Sequence, residues 1–317
     1  MTEAADMLPE GFIYMRKGDK TMRIMDELRK EGVKRMILDT DTYNEIDDQF
    51  ALALAMLAPD RIDLACVCAA PFHNPNSESY ADGMERSYRE IGICTEFVHQ
   101  SHGAKIPPYY RGSTERMPDD KTPVESEAAH KIAETVLAYD GLTYIAAIGA
   151  ITNVASAVLL HPEIKDKIAI IWLGCHAQYF GGPEFNLQGD VNAANALFAS
   201  DVPMLVLPCH GVVSNLHTTI HELEYFLRGN SPLGDYLCDN VAACKPKNAV
   251  AWSRVIWDVS AIAVVIEPNT CHVAVEPRWH INKDWTYSDD VYEGEMECVK
   301  AVNRDWIFSI LYSHLRK

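Results

Sequence analysis

The stretch KRMILDTDTYNEIDDQFALALAMLAP, residues 34–59, decides the architecture. Lys34 to Asp39 is a short apolar run between polar residues and predicts a strand. From Ile46 to Ala58, apolar residues recur at helical spacing (Ile46, Phe50, Leu54, Leu57), and Pro59 stops the run. The same alternation continues outward. Strands are expected at residues 62–69, 143–148, 168–173 and 203–207, and helices at 77–91, 151–160, 191–199 and 255–267. The strands are almost continuously apolar, as strands covered on both faces must be. The chain therefore reads as α/β, with an open, mostly parallel, doubly wound sheet and helices on both faces, in one large domain over residues 34–317. Residues 1–33 read as an N-terminal extension, with a short amphipathic helix expected over 21–30. From Cys271 onward a short antiparallel appendage and a closing helix are expected.

The 317 residues are 48% hydrophobic and 23% charged, enough to fill the core of such a domain. Lys plus Arg number 28 and Asp plus Glu 45, so the formal charge is −17. That excess works against nucleic acid and anionic membranes as partners, since both are polyanions. No apolar run approaches the ~18 residues of a spanning helix. The start, MTEAADMLPE, lacks the basic-then-apolar order of a secretory signal. Nine cysteines without a C-x-x-C pair suit reduced, structural thiols and a cytoplasmic location.

In an open parallel sheet, ligands bind beyond the carboxyl ends of the strands. There the chain carries Asp39, Asp41, Glu45, Asp47 and Asp48, five acidic residues within ten. In a partly dry crevice such carboxylates repel one another unless a cation joins them. Asp47 and Asp48 alone would complement the positive end of the following helix, with Thr42 or Asn44 as its cap. No capping duty calls for Asp39 and Asp41, which favours a metal or substrate site. Oxygen ligands without His or Cys suit a hard ion, calcium or magnesium. Asp-x-Asp after a strand also resembles the nucleophile loop of haloacid-dehalogenase-like phosphatases. That pattern wants Thr or Val two residues after the second Asp, where Tyr43 stands.

Four segments, in order, resemble the inosine-uridine-preferring nucleoside hydrolases. They are Asp39-Thr40-Asp41 with Ile46-Asp47-Asp48, Gly149-Ala150-Ile151-Thr152-Asn153, Glu184-Phe185-Asn186 with Asp190, and Asp258 opening a helix that ends at Glu267-Pro268. The resemblance implies an open α/β sheet and calcium-dependent hydrolysis of the N-glycosidic bond of ribonucleosides, with magnesium the less expected ion. It implies that Asp41, Asp48 and Asp258 give carboxylates to the metal, and that the Ile148 carbonyl is a fourth ligand. By the same resemblance Asp47 binds a ribose hydroxyl, Glu184 and Asn186 hold the sugar from the other side, and Asn74 adds a sugar contact. Asp41 would be the base that activates the metal-held water. Family members are commonly oligomers, so a homodimer or homotetramer is expected.

The chain departs from the family in ways that bear on substrate. The inosine-uridine-preferring branch has His before the late aspartate, as the acid for the leaving base. Here Trp257 stands there, and an indole cannot deliver a proton at neutral pH. Trp257 resembles the purine-specific branch, which stacks the base between aromatic rings, and so implies a lean to purines. Tyr43, Tyr109 or Tyr110 would supply the second ring, and simple core packing is the other role open to Trp257. Five residues, Thr42 to Ile46, separate Asp41 from Asp47 where the family has three, so the loop must bulge and bring Tyr43, Asn44 or Glu45 toward the site. Among the histidines near strand ends (His73, His99, His102, His176, His210), His176 is the first candidate for a replacement acid. The departures leave two other readings open: a hydrolase of another N-ribosyl compound, and a non-catalytic ribose- or nucleoside-binding protein.

Overall fold

The computed structural model describes residues 22–316. In chain order the strands are β1 (Lys34–Thr40), β2 (Ile62–Ala69), β3 (Tyr109–Arg111), β4 (Thr143–Ala147), β5 (Ile168–Leu173), β6 (Met204–Leu207), β7 (His217–Thr218), β8 (Arg254–Val255), β9 (Cys271–Ile281) and β10 (Tyr287–Val302). The helices are α1 (Ile24–Arg29), α2 (Asp48–Leu57), α3 (Tyr80–His102), α4 (Glu127–Leu137), α5 (Thr152–Leu160), α6 (Phe185–Gly189), α7 (Val191–Phe198), α8 (Ile220–Leu227), α9 (Pro232–Cys244), α10 (Val259–Ile266) and α11 (Arg304–Leu315). Eight strands form one sheet in the order β3-β2-β1-β4-β5-β6-β10-β9, while β7 and β8 pair separately. All neighbours in the large sheet run parallel except β10 and β9. The strand order turns back between β1 and β4, and the crevice beyond their carboxyl ends is the ligand position of such sheets.

Side-chain alternation along the parallel strands sorts the apolar residues into two cores, one on each face. Met36 and Leu38 of β1 and Ile171 and Leu173 of β5 pack with residues of α2, α3, α10 and α11. Ile37, Ile170, Trp172 and Val206 pack with residues of α4, α5 and α7. This is the doubly wound arrangement the alternation predicts. No described helix is long and apolar enough to cross a membrane. All nine cysteines are free, and only Cys244 is exposed.

Several boundaries differ from the sequence reading, each for a physical reason. The helix expected over 77–91 runs to His102, because Ser79 caps it through Asp82 N–H and the left-handed Gly103 (φ 69°) ends it. The helix expected over 255–267 begins only at Val259, since Arg254 and Val255 pair with β7. The segment after Cys271 is no short appendage. The β9–β10 hairpin joins the main sheet beside β6 and extends it. The helix expected over 21–30 is α1, which buries Ile24, Met25 and Leu28, and Glu297 of β10 accepts hydrogen bonds from the Ile24 and Met25 N–H groups. Packed structure thus reaches back ahead of residue 34.

Candidate active site

Loops after β1, β4, β5 and β6 and the turn before α10 enclose a cavity of about 290 Å³. That is near the lower end of small-molecule sites, roughly 300–1,000 Å³. Helix α2 begins here, with Asp47 as its N-cap residue and Asp48 as its first residue. Thr40, the last residue of β1, donates its hydroxyl to Asp48 Oδ1 at 2.5 Å. Asp41 lies just past β1 and accepts from Asn44 Nδ2 at 3.0 Å. The open face of Gly149 lets Asp41 come close, because a Cβ at 149 would lie 2.9 Å from the Asp41 carboxyl carbon. Asp258 is the N-cap residue of α10 but makes no side-chain cap bond.

One carboxylate oxygen each from Asp47, Asp48 and Asp258 lie within 4.8 Å of one another. Asp41 lines the same cavity but stands outside that trio. The close set therefore contains Asp47 where the resemblance puts Asp41. Burial raises every member of the group. Asp47 is pushed up to about 7, by desolvation and then Glu45, and Asp48 to about 8, by desolvation and then Asp47. Asp41 and Asp258 are held well above the ordinary carboxyl range, by desolvation and by their acidic neighbours. Asp47 Oδ2 accepts the Trp257 N–H at 2.8 Å, while Asp47 Oδ1 is buried with no partner. A buried, unpartnered carboxylate oxygen amid three more carboxyls is the signature of a missing positive charge. The donors are all oxygen, so the residues fit a hard divalent cation. Arg254 does not fill that place, since it pairs with Glu45 at 2.6 Å.

The opposite wall is built around Glu184 and Asn186, both buried cavity residues. Glu184 caps the short helix α6 and accepts the N–H groups of Asn186, Leu187 and Cys175 at 2.8–2.9 Å. Asn186 donates to the carbonyls of Ile148 (3.1 Å) and Leu173 (2.9 Å), tying β4 to β5. Both amide hydrogens are thereby used, and Oδ1 is left for a ligand. Ile148 lines the cavity, and its carbonyl already accepts from Asn186.

Not every expected residue reaches the cavity. Asn74 does not line it, and instead donates to Asn44 Oδ1 at 2.6 Å, bracing the loop that carries Asn44. Asp39 turns to the opposite face of the sheet and accepts from Asn153 Nδ2 at 2.8 Å. Desolvation pushes Asp39 up to about 7. The two extra loop residues bring Asn44 and Glu45 into the cavity, whereas Tyr43, at φ 88°, points out toward Arg86. Trp257 lines the cavity, but Tyr43, Tyr109 and Tyr110 do not. The rings around Trp257 are different ones. His210 stands edge-on to it (5.2 Å, 82°), and Phe180 stacks on His210 (4.9 Å, 12°). His176 and Phe185 complete that side, while His73, His99 and His102 lie elsewhere. Phe185 reaches the cavity from inside the Glu-Phe-Asn segment, the one sequence signal that points to it. Arg254 carried no local signal at all. Asp190 caps α7 and accepts from Met117 N–H and the Thr152 hydroxyl, away from the cavity.

The profile of the inosine-uridine preferring nucleoside hydrolase family matches residues 36–308. The chain is 32% identical over 227 residues to the pyrimidine-specific ribonucleoside hydrolase RihB of Escherichia coli (strain SE11), covering 65% of this chain and 69% of that one. It is 24% identical over 229 residues to probable uridine nucleosidase 2 of Arabidopsis thaliana, covering 65% and 68%. A solved purine-preferring ribonucleoside hydrolase from Gardnerella vaginalis shares the fold, with a TM-score of 0.72 at 19% identity over 89% of this chain and 98% of that chain. The chain belongs to the inosine-uridine preferring nucleoside hydrolase family. Its activity is accordingly hydrolysis of the N-glycosidic bond of ribonucleosides.

Proposed function

We propose that this cavity hydrolyses purine ribonucleosides in preference to pyrimidine ones, and that Asp47, Asp48 and Asp258, with Asp41 beside them, hold calcium. The observation that carries the metal is the trio of buried carboxylates with an unpartnered Asp47 oxygen. A hard cation bound there would neutralise the carboxylates and supply affinity for vicinal ribose hydroxyls and for water. The protein's own groups do the rest. Asn186 Oδ1 accepts from a ribose hydroxyl. Asp41 accepts the proton of the attacking water, a contribution on the order of 10²–10⁴-fold. As the bond breaks, positive charge grows on the sugar, and the fixed carboxylates around it, Glu184 included, stabilise that charge. The indole of Trp257 gives the base an aromatic surface, which favours the larger purine. A cytoplasmic homodimer or homotetramer completes the reading.

The test is release of reducing sugar from inosine, guanosine, uridine and cytidine, with and without a chelator. We expect the chelator to abolish turnover, calcium to restore it better than magnesium, and kcat/KM to be higher for inosine than for uridine. Activity indifferent to the chelator would overturn the metal. RihB is named as pyrimidine-specific and the Arabidopsis relative as a probable uridine nucleosidase, and a higher kcat/KM for uridine here would overturn the purine preference.

A further inference from the structure

We propose that His210 is the acid that protonates the departing base. The inference rests on the reading above, that ribonucleosides are cleaved in this cavity, and names a group that reading lacks. Trp257, in the position before the late aspartate, has no transferable proton at neutral pH. The other lining groups can be taken in turn. Asp41, Asp47, Asp48 and Asp258 belong to the cation side. Glu45 is engaged by Arg254. Glu184 is occupied by three backbone N–H groups and by the Cys209 thiol, which donates to it at 3.5 Å. Two imidazoles are left.

His176 and His210 are 4.8 Å apart but differently placed. The backbone N–H of His210 donates to His176 Nδ1 at 3.2 Å. His176 therefore keeps its own hydrogen on Nε2. Burial, and then the nearness of His210, depress His176 to about 4, so it is a neutral ring near pH 7. A neutral imidazole donates hydrogen bonds but is a very weak acid. His210 is placed differently. Its ring nitrogens have no hydrogen-bond partner among the described residues, and the residue is exposed while also lining the cavity, so it can recharge from solvent. Its plane is set by the Phe180 stack and by the perpendicular Trp257, which puts it beside the aromatic surface proposed for the base. From other elements, the titratable groups that share the cavity with it are His176 after β5, Glu184 at the head of α6, Glu45, Asp47 and Asp48 at the head of α2, Asp41 after β1 and Asp258 at the head of α10, with Cys209 adjacent in sequence.

The step balances without a co-reactant. The C1′–N bond breaks and its electron pair leaves with the base. The proton moves from the His210 imidazolium to a base nitrogen. The oxygen of water joins C1′, and the proton it sheds goes to Asp41. Transfer through solvent from Asp41 back to His210 resets both groups, and the sum is nucleoside plus water giving ribose plus base.

The experiment compares H210Q with wild type on inosine and on 4-nitrophenyl β-D-riboside, whose phenolate departs without a proton. We expect kcat on inosine to fall about 100-fold or more, within the usual range for a general acid. We expect less than about a threefold fall on the nitrophenyl riboside, and loss of the alkaline limb of the kcat profile on inosine. A substitution that merely disturbs the cavity lowers both substrates alike. Equal losses on the two, or no loss on inosine, would overturn the role of His210 while leaving the hydrolase reading intact. A wild-type enzyme inactive on both would overturn that underlying reading and this one with it. H176Q is the comparison variant, and a leaving-group split that appears there in place of H210Q would also overturn the assignment.

Discussion

The carboxylate cluster predicts that Asp47→Asn stabilises the cation-free protein while disabling it. Burial holds Asp47 at about 7 against 3.8 for a free side chain. In the unfolded chain the group ionises near 3.8, so keeping it ionised in the fold carries a cost that is absent below about pH 4. That cost grows as pH rises and is complete above about pH 7. At about 1.4 kcal/mol for each tenfold, it amounts to about 4 kcal/mol. Asparagine removes the charge and keeps an oxygen for the Trp257 N–H, so the hydrogen bond at 2.8 Å survives. In a thermal melt with chelator at pH 8, D47N should unfold several degrees above wild type, up to about 8 °C at about 2 °C per kcal/mol for a domain of this size. The gap should close as the buffer is lowered toward pH 4. Calcium should narrow the gap, because a ligand at 100 times its dissociation constant adds about 2.7 kcal/mol to wild type, and at 1,000 times, where it adds about 4.1 kcal/mol, the two proteins should melt together. Turnover by D47N should be down by about 100-fold or more. A cation-free D47N that melts below wild type at pH 8 would refute the premise that these buried carboxyls are short of a positive charge.

Two further outcomes follow from contacts. Gly149→Ala should lower kcat about tenfold or more with a loss of only about 1–3 kcal/mol in stability, because its methyl would meet the Asp41 carboxyl at 2.9–3.0 Å and push it aside; steady-state kinetics beside a urea melt checks this, and wild-type kcat would refute it. Glu184→Ala should cost about 3–5 kcal/mol in a urea titration, since three buried N–H groups lose their acceptor. An unchanged midpoint would show that the cap is dispensable.

The parts legible in the sequence were those written locally. Residues 62–69 and 168–173 are strands to the residue, because uninterrupted apolar runs between polar ends have no other home. Helix α4 is missing from the sequence reading although its buried residues (Ala128, Ala129, Ile132, Ala133 and Val136) recur at helical spacing. Reading α3 to stop before Gly92 ignored that Tyr109 packs over that glycine, a contact made only in the fold. The acidic turn after β1 was visible as a ligand site because five acids in ten residues need an explanation. The division of labour among them was not. Asp39 follows Ile37 by two residues and shares its face of the sheet, the side of α5, where Asn153 meets it. Asn74 meets Asn44 across thirty positions of sequence, and no local pattern announces that pairing.

The two rims of the cavity are built from unlike backbone. At the acidic rim, Asn44 is stitched to the neighbouring loop by the amides of Asn74 and Asn76. At the aromatic rim, Tyr179 and Phe180 are exposed, and two successive left-handed glycines follow them, Gly181 (φ 64°) and Gly182 (φ 81°). Glycine pairs give a hinge the widest choice of dihedral angles. With the base beside Trp257 and His210, as proposed, accommodation of differently shaped nucleobases would fall to the segment that carries Phe180, while the braced Asn44 loop stays fixed. Under that placement, tolerance for the aglycone and stringency for ribose would be separately adjustable.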